Sequence, residues 1–90
     1  TIACMAVNDV YVMAAWGAHL GTGSKVTMLA DGNADYTRVL GLELDASKVG
    51  LGIRGQRFVI IADDGLVTHL AVEEPACFDV TRAETILAAL

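Results

Sequence analysis

Hydrophobic residues along the chain fall into short blocks separated by clusters of turn-forming residues, and the spacing within each block names its element. Ile2–Val7 is an unbroken apolar run of strand length, as expected of a buried strand. Asn8 and Asp9 then offer side-chain oxygens suited to an N-cap. Val10, Met13, Ala14, Gly17 and Leu20 recur at helical steps, so Asp9–Leu20 is predicted to form an amphipathic helix. Gly21 and Gly23 stop it, because glycine accepts the left-handed conformation at a helix end. Lys25–Ala30 is a second apolar strand, and Asp31-Gly32-Asn33 is a turn. Tyr36, Val39 and Leu40 mark one face of a short helix closed by Gly41.

From Leu42 to Gln56 no period holds, and Gly50, Gly52 and Gly55 interrupt the stretch. A connection of that length is more often functional than idle. Arg57–Ala62 is a strand, Asp64-Gly65 a hairpin turn and Leu66–Val72 the returning strand. Thr81 and Glu84 have the spacing of a capping box. Ala83, Ile86, Leu87 and Leu90 would be the buried face of a final helix. The order β-α-β-α-β-β-α predicts an α/β fold, a mixed sheet flanked by helices, with a parallel pair from the first βαβ unit. It matches the C-terminal two-thirds of a thioredoxin-like fold and lacks that fold's opening strand and the helix carrying its redox cysteine.

Composition narrows the function classes. Ninety residues, 54% hydrophobic and 19% charged, describe a small globular domain and exclude a disordered one. A net charge of −5 argues against nucleic acid or an anionic membrane as partner, since both require clustered positive charge. No segment approaches the roughly 18 apolar residues of a membrane span. Thr1–Val7 lacks the basic start and cleavage site of a signal peptide. Two cysteines, Cys4 and Cys77, are too few for a disulfide scaffold, so a reducing, cytoplasmic setting is expected.

Three local patterns suggest ligand sites and fail on spacing. Gly21-Thr22-Gly23-Ser24-Lys25 lacks the phosphate-loop spacing and precedes a strand. Asp31, Asn33 and Asp35 begin like a calcium loop, but Tyr36 stands where glycine is needed and Leu42 where the bidentate glutamate belongs. His19, His69, Cys4 and Cys77 form no close ligand pair for zinc. His69, on a strand beside polar Thr68, is expected at the surface.

Six segments, taken together and in order, resemble the type II, or atypical two-cysteine, peroxiredoxins. Ile2-Ala3-Cys4-Met5-Ala6-Val7-Asn8-Asp9 is similar to their strand and "VND" turn, and Val12-Met13-Ala14-Ala15-Trp16-Gly17 to the "VMKAWG" helix. Leu29-Ala30-Asp31-Gly32-Asn33 resembles "LADGNG", and Leu40-Gly41-Leu42-Glu43-Leu44-Asp45 resembles "LGLELD". Gly50-Leu51-Gly52-Ile53-Arg54 with Arg57-Phe58 resembles "GLGxRSxRF"; Val72-Glu73-Glu74 and Ala83-Glu84 resemble the tail.

The resemblance implies a thiol peroxidase acting on hydrogen peroxide and alkyl hydroperoxides through a cysteine sulfenic acid. Glutathione with glutaredoxin, or thioredoxin, would be the reductant, with no cofactor and no metal, and a homodimer is implied. Parts of Asp9–Trp16 and Tyr36–Gly55 would contribute to the dimer face. The resemblance makes Arg57 the active-site arginine that stabilises the thiolate and the peroxide. An arginine suits that task, being permanently charged and presenting a fixed fork of donors. Of the aromatic residues, Trp16, Tyr11 and Phe58 are expected in the core.

The family's P-x-x-x-T-x-x-C motif, which supplies the peroxidatic cysteine, is absent from these residues. Cys4, in a strand, does not replace it, and its position is that of a resolving cysteine in some plant-type members. Cys77, before the last helix, lies near the resolving position of some animal members, which corresponds better to Val80. With the chain entering a strand directly after Thr1, residues 1–90 are expected to be the C-terminal part of a single peroxiredoxin domain. The competing expectation is a non-catalytic thioredoxin-like fragment serving as an interaction or dimerisation module. A generic ferredoxin-like regulatory domain fits the element order less well and leaves Arg57 unexplained.

Overall fold

The computed structural model describes residues 1–90, which divide into two compact units, Thr1–Gly55 and Gln56–Leu90. In the first unit, strand β1 (Ala3–Ala6) pairs in parallel with β2 (Thr27–Ala30), placing Cys4 opposite Met28. Helix α1 (Val10–Leu20) makes the crossover. It starts where the sequence places its cap: the Asp9 carboxylate accepts the Val12 N–H at 2.8 Å. It stops at Gly21, whose φ of 66° lets the chain turn back and present the Thr22 N–H to the Gly17 carbonyl at 3.1 Å.

Only one side of α1 is buried. Met13 is 1% exposed, and Gly17 lies so close to β2 that an added Cβ would stand 3.0 Å from Met28 Cγ. Val10, Ala14 and Leu20, expected on the same buried face, are exposed. Tyr11 and Trp16 are also exposed and do not belong to the core; Phe58 is half-buried.

Helix α2 (Asp35–Val39) turns a different face inward from the one its apolar residues predict. Tyr36 and Val39 are exposed, whereas Thr37 is 1% exposed. Asp31 causes this: one carboxylate oxygen accepts the Tyr36 N–H, and the other accepts both the Thr37 N–H at 2.8 Å and the Thr37 hydroxyl at 2.6 Å. The Thr37 hydroxyl and these N–H groups hold the Asp31 carboxyl below its ordinary pKa, against a smaller opposing effect of burial.

The aperiodic stretch proves to be a hairpin. Strand β3 (Glu43–Asp45) pairs antiparallel with β4 (Ile53–Gly55) around a single 3-10 turn at Ser47–Val49. The Asp45 carboxylate caps that turn by accepting from the Ser47 N–H and hydroxyl, and both bonds lower its pKa. Gly55 brings β4 against Val7 and Thr37, leaving 3.6 Å between an added Cβ and Thr37 Cγ2.

In the second unit, β5 (Phe58–Asp63) and β6 (Leu66–Val72) form an antiparallel ladder. The two-residue turn is as expected, with Asp64 and Gly65 at φ 51° and 77°. A bulge follows: Ile61 faces His69 while Ala62 faces Val67, so Thr68 is the extra residue on β6. His69 is half-buried, not a plain surface residue, and its Nε2 is buried without a hydrogen-bond partner.

Helix α3 (Ala83–Ala89) departs from expectation in two ways. Its N-cap is Arg82, with no side-chain cap bond, so the Thr81–Glu84 capping box does not form. Its apolar residues are not a buried face: Ile86 is half-buried and Leu87 and Leu90 are exposed. The strands thus pair as three two-stranded ladders, one parallel and two antiparallel.

Candidate functional site

The densest polar cluster of the second unit is built on Glu73, directly after β6. The ladder extends one residue beyond the strands, since the Glu73 N–H donates to the Arg57 carbonyl at 2.9 Å. Sheet pairing therefore sets Arg57 and Glu73 side by side. The Glu73 side chain then gathers the following loop. A single carboxylate oxygen accepts the Asp79 N–H at 2.6 Å, the Thr81 N–H at 3.0 Å and the Thr81 hydroxyl at 2.7 Å.

Glu73 is 6% exposed and Thr81 5%. Burial alone would raise the Glu73 carboxyl, but the Thr81 hydroxyl and the N–H groups of Thr81, Asp79 and Val80 prevail and lower it to about 2. Glu73 is thus an anion at any physiological pH. Its charge is satisfied by loop donors, which fixes the path of the chain from Phe78 to Thr81.

Arg57, exposed overall, is gripped by that loop at two points. Its Nε–H donates to the Thr81 hydroxyl oxygen at 2.8 Å. Its Cζ stands 4.3 Å from the centre of the Phe78 ring, within cation–π range. Arg82 approaches the same ring at 5.5 Å, with its Nε–H on the Phe78 carbonyl at 3.0 Å. Thr81 is the hinge of the arrangement: its hydroxyl hydrogen goes to Glu73, and its oxygen receives Arg57. A positive group is therefore tethered at the end of a strand with its Nη1/Nη2 fork not consumed by the Thr81 bond. Such a fork suits an anionic sulfur or a peroxide oxygen gaining charge.

The other sequence-predicted residues are the two cysteines. Cys4 is half-buried in β1 of the first unit, and Cys77 is exposed in the loop one residue before Phe78; neither is in a disulfide. A second arginine, Arg54 on β4, donates from Nη2 to the Asn8 side-chain oxygen within the first unit. No three His, Cys, Asp or Glu side chains are grouped to hold a metal ion. No helix is long and apolar enough to cross a membrane.

Sequence reasoning missed Glu73 and Phe78 and misread Thr81. Glu73 is the first of two adjacent carboxylates, Glu73 and Glu74, directly after an apolar strand, and its partners lie six and eight residues away. The one available signal was the abrupt change from an apolar block to charge at Glu73.

Comparison with known proteins places these elements in a family. Residues 1–87 match the Redoxin family model. The chain is 48% identical over 91 residues to Peroxiredoxin-2E, chloroplastic, from Arabidopsis thaliana, covering 99% of this chain and 39% of that protein. It is 46% identical over 89 residues to Peroxiredoxin-2B from the same plant, covering 99% of this chain and 55% of that one. Among solved structures, reduced Prx3 from Vibrio vulnificus in complex with hydrogen peroxide superposes with a TM-score of 0.90 at 51% identity, over 98% of this chain and 53% of that one. The chain thus spans about two fifths to just over half of these proteins. Their fold is thioredoxin-like, as the order of elements led us to expect. The chain belongs to the Redoxin family, and its relatives there are peroxiredoxins.

Proposed function

We propose that residues 1–90 form the arginine-bearing portion of a thiol peroxidase that reduces hydrogen peroxide and alkyl hydroperoxides. In this reading a peroxidatic cysteine thiolate outside these residues attacks one peroxide oxygen. The O–O bond breaks, the sulfur becomes a sulfenic acid, and the other oxygen leaves as water or alcohol after taking a proton. A thiol then displaces water from the sulfenic acid to give a disulfide, and a second thiol releases the reduced enzyme. Arg57 favours the thiolate over the thiol and donates to the peroxide oxygens as charge develops on them.

The observation that carries this reading is the tethering of Arg57. Its guanidinium rests on Phe78 and Thr81, a cost in side-chain freedom that a solvated surface arginine does not bear. The hydrogen peroxide complex of the Vibrio vulnificus relative supports the substrate class. Glutathione with glutaredoxin, or thioredoxin, is the proposed reductant, in a homodimer working in reducing cytoplasm. Cys4 and Cys77 are the candidate resolving cysteines. Cys77 is the more accessible, being exposed.

The first test is hydroperoxide consumption by the 90-residue chain alone, supplied with glutathione and glutaredoxin or with thioredoxin. No turnover is expected, because neither cysteine is peroxidatic. Turnover abolished by Cys4→Ser would place the nucleophile in β1 and overturn the division of labour proposed here.

A further inference from the structure

We infer that Thr81, anchored by Glu73, is a positioning residue that aims Arg57 for the peroxide reaction; this rests on the proposed peroxidase reading. The geometry has three parts. Arg57 and Glu73 are joined through the backbone by the Glu73 N–H to Arg57 carbonyl bond at 2.9 Å. The Glu73 carboxylate takes the Thr81 hydroxyl hydrogen at 2.7 Å and the Thr81 N–H at 3.0 Å. That leaves the Thr81 oxygen lone pairs turned to Arg57, whose Nε–H they accept at 2.8 Å.

A hydroxyl has one hydrogen and can donate in only one direction at a time. With its hydrogen committed to a buried anion, Thr81 presents an acceptor and nothing else. An arginine has five donors and no acceptor, so this commitment makes Thr81 a one-way socket for it. Because the bond takes Nε, it fixes the plane of the guanidinium while leaving the Nη1/Nη2 fork unspent. Phe78 holds one face of that plane at 4.3 Å, and Phe78 itself is placed by the adjacent Asp79 N–H on Glu73 at 2.6 Å. One carboxylate therefore sets both contacts that orient the arginine. Glu73 acts at one remove: it touches loop donors, and the loop touches Arg57.

The test is a mutant cycle in the full-length protein that carries these residues together with the peroxidatic cysteine. Thr81→Val removes the hydroxyl at constant shape, Thr81→Ser retains it, and Arg57→Ala removes the group being aimed. The rate of sulfenic acid formation and the pH at which the thiolate forms are read for each. Thr81→Val is expected to slow the reaction about tenfold, the scale of one hydrogen bond to a charged group, and to raise the thiolate pKa. Thr81→Ser should stay within about twofold of wild type. In an Arg57→Ala background Thr81→Val should add nothing, since its effect passes through Arg57.

A second readout needs no catalysis: the Arg57 Nε–H signal in NMR spectra of the arginine side chains. It should exchange slowly with water in the wild type and Thr81→Ser proteins and rapidly in Thr81→Val. If Arg57→Ala slows the reaction while Thr81→Val matches wild type, or if the Nε–H remains protected in Thr81→Val, the positioning role is overturned and the peroxidase reading stands. If the wild type forms no sulfenic acid, the peroxidase reading falls and the proposal with it; if Arg57→Ala reacts at the wild-type rate, the active-site role of Arg57 falls and the proposal with it.

Discussion

Replacing Met13 with alanine isolates the packing between α1 and the β1–β2 pair. Met13 is 1% exposed, the largest of the fully buried side chains, and its sulfur lies 3.8 Å from the Asn8 side-chain nitrogen. Its truncation removes apolar contacts and leaves a void that a helix pinned by Gly17 against Met28 is poorly able to close. Large-to-small changes of this kind cost about 2–5 kcal/mol. With about 3 kcal/mol as the central figure, the midpoint of thermal unfolding falls by roughly 12–24 °C in a folded chain of this length. The assay is urea unfolding followed by circular dichroism and by the fluorescence of Trp16, the single tryptophan, with linear extrapolation to water. Met13→Leu, which nearly conserves volume, should lose less than about 1.5 kcal/mol. Val39→Ala, at a position 80% exposed, should lie within about 0.5 kcal/mol of wild type. A Met13→Ala loss no larger than that of Val39→Ala would refute the packing described for the first unit.

Three further outcomes follow from named contacts. Glu73 has a folded pKa of about 2 against an ordinary 4.5, so its contribution to stability is complete above pH 4.5 and is lost as pH falls toward 2. Urea midpoints should therefore drop across that window, and Glu73→Gln should flatten the slope, leaving only the share of other depressed carboxylates such as Asp31 and Asp45. Gly65→Ala places a side chain at φ 77° and should cost about 1–2 kcal/mol in the same unfolding assay. Asp9→Ala removes the acceptor of the Val12 N–H and should cost about 1 kcal/mol, with the loss of helical circular dichroism confined to the early stages of unfolding.

Elements with local causes were legible in the sequence. The limits of α1 follow from one carboxylate at Asp9 and one left-handed glycine at Gly21, each acting within a turn of the helix. The Asp64-Gly65 turn is equally local. The β3–β4 hairpin was not legible, because its strands are three residues long and its loop is made by a 3-10 turn and left-handed Gly50 and Gly52, which erase any alternation. The inward face of α2 was misread for a related reason: a polar residue, Thr37, is drawn inside by Asp31 and outranks apolar Val39. At the site, Arg57 stood out through family resemblance alone. Thr81 had a local partner on paper, Glu84, and a distant one in space, Glu73. The turn at Glu74–Cys77, with Ala76 at φ 63°, folds the loop back so that the distant partner is the one it meets.

The most direct test of the account is the second-order rate of sulfenic acid formation with hydrogen peroxide in the full-length protein, wild type against Arg57→Ala. Loss of one preorganised donor at a site of developing negative charge predicts a fall of about 100-fold or more. An Arg57→Ala protein that reacts within about twofold of the wild type would contradict the assignment of this chain as the arginine-bearing side of a thiol peroxidase.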